Sequence, residues 1–135
     1  MPPSEPEYDL TQPPGQSLAV MAEVLYLTNL LLLPGLAFLA LLFVYRRQIK
    51  QAPPLAVCHL RQTLSASIWA GIILVIANLV ILVLGGYTSS WTWVIVIIYF
   101  TVCHAAFVLV GTVGLARAMA GKNYRFPLVG RPCGE

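Results

Sequence analysis

The chain has 135 residues, 59% of them hydrophobic and 10% charged, with a formal net charge of +3 and mean hydropathy +0.80. A soluble domain carries about 25% charged residues, so this composition excludes an ordinary soluble globular enzyme. It also excludes a disordered chain, which would be polar and charge-rich. An all-α integral membrane protein remains.

Residues 1–16 predict a flexible, Pro-rich acidic tail. Pro2, Pro3, Pro6, Pro13 and Pro14 fix φ and remove backbone donors, and Glu5, Glu7 and Asp9 have no Lys or Arg beside them. A secretory signal opens with positive charge, so none is expected here. The next run, about 17–45, is apolar apart from Glu23, Thr28 and Asn29. As one helix it would extend roughly 43 Å, longer than a bilayer core of about 30 Å. Pro34-Gly35 lies inside it, and the expectation is a single tilted span kinked at Pro34. The alternative is two half-helices that meet at Pro34-Gly35 as a re-entrant hairpin.

A basic loop, RRQIKQAPPLAVCHLRQ (46–62), follows. A second span is expected over about 63–85, ended by Gly85-Gly86, and a third over about 91–120. The short turn GYTSSW between them makes the pair an antiparallel hairpin. A transmembrane domain of three helices (17–120) thus precedes a basic cytoplasmic tail (121–135). That tail ends Cys133-Gly134-Glu135, one residue short of a CaaX box, so prenylation is not expected.

Charge sets the expected orientation. Arg46, Arg47, Lys50 and Arg61 lie in the first loop, and Arg117, Lys122, Arg125 and Arg131 lie at the end of the third helix and in the tail. With three spans both groups face one side, which the positive-inside rule makes cytoplasmic. The N-terminus is then outside and the C-terminus inside, with the bacterial inner membrane as the expected location. Tyr87, Trp91 and Trp93 mark the outer interface, and Tyr45 and Tyr124 the inner one. A re-entrant first run would move the N-terminus inside.

LAVMAEVLYL (18–27), HLRQTL (His59 to Leu64) and above all AGKNYRFPL (Ala120 to Leu128) resemble stretches of the small bacterial DUF4870 membrane proteins, which are distantly similar to the Tic20 family. The last resembles that family's Gly-x-x-Tyr-x-Tyr/Phe-Pro-Leu ending. Where the family often has His in its first helix, this chain has Glu23. The resemblance implies membership of a membrane complex, by analogy with components of chloroplast protein import, and it transfers no catalytic residue.

On straight spans Asn29, Asn78 and His104 fall near one membrane depth, and Thr101 shares a face with His104. Buried amides and imidazoles are costly without partners, so these four are expected to form an intramembrane polar cluster. It would act as a packing clasp, a proton or ion path, or a haem or metal site through His104. Small residues on the same helices, Ser67/Gly71 and Gly114/Ala118, permit close helix approach. His59 lies about two dozen ångströms from His104 by helix rise, so one chain cannot supply a bis-histidine pair. In Cys58-His59 and Cys103-His104 the neighbours diverge by about 100° on a helix. With Cys133, these widely spaced cysteines predict neither a disulfide scaffold nor a structural zinc site.

Glu23, about two turns into the first helix, is expected to be structural, since a carboxylate is favoured toward a helix N-terminus; with no intramembrane Lys or Arg to pair with, the alternative is a partner contact or proton site. Arg46, Arg47, Lys50, Arg61, Lys122, Tyr124 and Arg125 form a basic surface for lipid headgroups or a docking protein. They hug the bilayer, so nucleic acid is not an expected partner. No GxSxG, HExxH, Walker or GxGxxG motif occurs, and neither enzymatic activity, cofactor nor metal is expected. The expected role is an accessory, assembly or stabilising subunit of a larger membrane complex, with other membrane subunits or further copies of itself as partners. The alternatives are a small oligomeric transporter, channel or translocation component, and a haem- or metal-binding redox subunit.

Overall fold

Pro34-Gly35 breaks the first apolar run instead of bending it. A computed structural model describes residues 11–133; the acidic stretch with Glu5, Glu7 and Asp9, and Gly134-Glu135, lie outside the described residues. Helix α1 (Gln16–Leu31) stops before the break and α2 (Leu36–Gln48) starts after it. Proline disfavours helix at the residue before it and offers no N–H. Gly35 then takes φ +87°, a left-handed value that costs glycine nothing. The exposed turn still satisfies its donors: the N–H groups of Leu32 and Leu33 reach the Thr28 carbonyl at 3.0 and 2.9 Å, and that of Gly35 reaches Asn29 Oδ1 at 2.9 Å.

The two pieces return side by side. Ala22 of α1, Leu41 of α2 and Leu60 of α3 form one cluster, with Leu18, Leu25, Val44, Tyr45 and Ile49 packed around it. At 16 and 13 residues, α1 and α2 are about 24 and 20 Å long, short of the roughly 30 Å core. The expected kinked span, and with it the count of three spanning helices, is therefore corrected. Two helices are long and apolar enough to cross a membrane, α3 (Pro54–Val83) and α4 (Ser90–Met119). Only 22% and 6% of their most apolar windows is buried, unlike the core helix of a soluble protein. Helix α3 begins at Pro54 and not near 63, because Pro54 sits in the first turn, where no backbone donor is needed.

The hairpin also sets the start of α1 against the far end of α4. Gln16 Nε2 donates to the Met119 carbonyl at 2.6 Å, so α1 begins beside the end of α4. The start of α1, the end of α2, the start of α3 and the C-terminal segment share one end, which also carries the Lys and Arg residues. This corrects the expectation that the chain enters and leaves at opposite ends.

Nearly all of the core lies at this basic end. Ala19, Leu55 and Ala118 form a second cluster, and Tyr26, Ala66 and Phe126 a third. Helix α1 lies on a small-residue face of α4. A Cβ at Gly111 would stand 2.5 Å from the Tyr26 ring, and one at Gly114 2.6 Å from the Glu23 carboxylate. Close approach of this kind substitutes for hydrophobic drive in lipid.

The segment after α4 folds back along α3. Gln62, buried in α3, accepts from the Phe126 and Arg131 N–H groups at 3.3 and 3.1 Å and donates to the Arg131 carbonyl. Ser65 Oγ donates to the Val129 carbonyl at 2.8 Å, and Phe126 fills the core. A Cys58–Cys133 disulfide, with Cα atoms 4.9 Å apart, closes the strap. The three cysteines thus do yield one disulfide, against expectation, and Cys103 is free.

Candidate functional site

Two arrangements bear chemistry. The first is a buried pair. Glu23 lies midway along α1 and His59 near the start of α3, and the hairpin makes these two levels one. His59 Nδ1 stands 2.6 Å from Glu23 Oε1, with both side chains at 0% exposure. His59 Nε2 stands 3.0 Å from the Lys122 carbonyl. A carbonyl only accepts, so Nε2 carries hydrogen and donates. One further proton lies between Nδ1 and Oε1, as imidazolium–carboxylate or as imidazole–carboxylic acid, and the pair has no net charge in either form. Thr63 Oγ1 donates to the His59 carbonyl at 2.8 Å. Glu23 Oε2 has no partner and faces Gly114. The pair thus ties together α1, α3, the face of α4 and the strap. Glu23 is enclosed here and not available to a partner subunit, which corrects the partner-contact alternative.

The second is a groove of about 730 Å³ between the tip of the α1–α2 hairpin, the middle of α3 and the middle of α4. Asn29, Ser67 and His104 contribute its polar side chains, and Phe38, Tyr99 and Phe100 its rings. Residues Tyr99–His104 form a π-helical segment within α4, where the Ala105 N–H reaches back to the Phe100 carbonyl. Such segments recur at functional sites. The His104 ring lies 5.3 Å from that of Phe100 and 6.3 Å from that of Tyr99.

Asn29 and His104, which the sequence groups together, thus meet in one groove. Asn78 does not join them: its Nδ2 donates to the Leu74 carbonyl at 2.8 Å, and its Oδ1 accepts from the Tyr87 hydroxyl at 2.7 Å. It ties α3 to the turn before α4. Thr101 is exposed, and its hydroxyl returns to the Ile97 carbonyl at 2.6 Å. Among the described residues no hydrogen bond joins any two of the four, so the expected cluster does not form as one.

Arg46, Arg47, Lys50, Arg61, Lys122 and Arg125 are all exposed at the basic end. The Arg47 guanidinium lies 5.1 Å over the Phe43 ring, and half-buried Tyr124 packs on Phe126 at 5.6 Å. Among the described residues no three His, Cys, Asp or Glu side chains converge to hold a metal ion.

Sequence reasoning missed the Glu23–His59 pair, Gln62 and the Cys58–Cys133 bridge. A carboxylate without a cation in a membrane helix was the available signal for the first. The chain matches no family model, no curated protein and no solved structure.

Proposed function

We propose that this chain is a non-enzymatic protein of the bacterial inner membrane that acts as an accessory or stabilising subunit of a larger membrane assembly. One observation carries the reading. The α1–α2 hairpin reaches only part of the way along α3 and α4, and beyond it those helices keep large apolar side chains exposed. Leu79 and Val83 on α3, and Trp93 and Ile97 on α4, are all more than half exposed. Lipid matches the apolar character of these faces but supplies no packing specificity. A partner's transmembrane helix would supply both. The resemblance of AGKNYRFPL and its companions to a family with complex-forming relatives supports the same class.

The basic end is assigned to the cytoplasm. All eight Lys and Arg residues lie at positions 46–61 or 117–131, and that asymmetry governs insertion. The disulfide at this end favours an oxidising compartment. Charge asymmetry acts as the chain inserts, before the strap folds back and Cys58 meets Cys133, and so it decides the assignment. In this orientation the exposed cations with Tyr124 form the docking and headgroup surface.

The test is purification of a C-terminally tagged chain in gentle detergent from its native membrane, with native sizing and identification of the bands. A reproducible assembly with other membrane proteins is expected. A lone chain in its own micelle would overturn the proposal, and a homo-oligomer would replace it with the transport reading.

A further inference from the structure

We infer that the groove between the hairpin tip and the middles of α3 and α4 is a binding site for a lipid-soluble quinone. The inference begins with Ser67. Its residue is 4% exposed, it lines the groove, and its Oγ has no hydrogen-bond partner. A buried hydroxyl without a partner costs free energy that a bound ligand would recover. Asn29 Oδ1 is committed to the Gly35 N–H, which leaves its amide N–H groups to donate. The His104 imidazole offers a third polar contact. These groups come from α1, α3 and α4 and line one space.

The chemistry of the lining selects the ligand. No Lys, Arg, Asp or Glu lines the groove. A phosphate or carboxylate headgroup would be buried there without a counter-charge, which is costly. A fitting ligand is therefore neutral. The Ser67 hydroxyl and the Asn29 amide supply donors, so the ligand carries acceptors. Phe38, Tyr99 and Phe100 suit a flat ring, since aromatic faces pack well by offset or edge contact. The apolar wall of α3 from Ile68 to Ile76 suits a hydrocarbon tail. A ring with two carbonyl oxygens and an isoprenoid chain meets all four requirements. The volume lies in the usual range for small-molecule sites, about 300–1,000 Å³. The groove opens beside the half-height hairpin, where a ligand dissolved in the bilayer reaches it directly.

Trp69, adjacent to Ile68 in α3, reports occupancy. The experiment uses the full chain in lipid nanodiscs with Trp91→Phe and Trp93→Phe, titrated with a benzoquinone bearing one isoprene unit and, separately, with menadione. The expected result is saturable quenching of Trp69. Ser67→Ala/His104→Leu should weaken it by about tenfold, as loss of roughly 1.4 kcal/mol of hydrogen bonding implies, with the helical circular dichroism unchanged. Ser67→Ala alone removes only an oxygen and should weaken it by a smaller factor. The ring-less isoprenoid alcohol of equal length should fail to compete. Quenching that never saturates, or that is equal in wild type and Ser67→Ala, overturns the inference. So does equal competition by the isoprenoid alcohol, which would make the groove a general apolar slot. A co-purifying phospholipid that quinone does not displace overturns it as well.

Discussion

Replacing Glu23 with Ala strands the Nδ1 of His59 in an interior with 0% exposure and opens a void against Gly114. Removing one partner of a buried pair costs about 3–5 kcal/mol. Glu23→Gln is a different perturbation. Its amide N–H donates to Nδ1, and the Nε2 bond to the Lys122 carbonyl, 3.0 Å in the wild type, is untouched. The expected cost is about 1 kcal/mol. His59→Ala should match Glu23→Ala and also free the Lys122 carbonyl, loosening the strap. The double variant should cost less than the sum of the singles, with a coupling on the order of 2 kcal/mol. The assay is reversible unfolding in mixed micelles, followed by helical circular dichroism as the denaturing detergent fraction rises. If Glu23→Gln is as damaging as Glu23→Ala, or if the two alanine variants add, then the pair is not a shared-proton contact and the reasoning fails.

Gly114→Val places branched carbon where a single Cβ already stands 2.6 Å from the Glu23 carboxylate; it should destabilise the fold by about 1–3 kcal/mol in the same assay, whereas a valine that leaves stability unchanged would separate α1 from α4. Asn29→Ala leaves the Gly35 N–H without its acceptor at the exposed tip and should cost about 0.5–1.5 kcal/mol, with faster amide exchange at Gly35; unchanged exchange would remove the turn's explanation. For the strap, alkylation followed by mass measurement should count one reactive thiol, Cys103, in the unreduced, denatured protein and all three cysteines after reduction. Three before reduction would show that Cys58 and Cys133 stand as thiols.

Much of the architecture was legible because local signals decide it. Gly85-Gly86 ends α3, and Pro53-Pro54 separates α2 from α3, for reasons that need no tertiary information. The apolar lengths of α3 and α4 follow from composition. The error in the first run was geometric. A straight helix and a hairpin share the same hydropathy, and only the packing of Ala22 against Leu41 and Leu60 separates them. That single choice propagated. Depth counted along a straight span put Glu23 at the outer surface and His59 at the inner one, which concealed the pair. The same counting grouped Asn78 with Asn29 and His104, although the Tyr87 hydroxyl holds Asn78 near the outer turn. Gln62 and the disulfide depend on the strap folding back over α3. Nothing local in AGKNYRFPL announces that return, because the Gln62 bonds join residues more than sixty positions apart.

The account stands or falls on the first apolar run turning back to the basic end. Single cysteines at Gln12→Cys, Gln51→Cys and Thr88→Cys, in a chain whose native cysteines are replaced, test this in sealed vesicles with a membrane-impermeant maleimide. The account predicts that positions 12 and 51 label from the same side and position 88 from the other. Labelling of position 12 together with position 88 would mean that residues 17–45 cross the membrane once. The hairpin, the Glu23–His59 pair and the groove would then all be contradicted together.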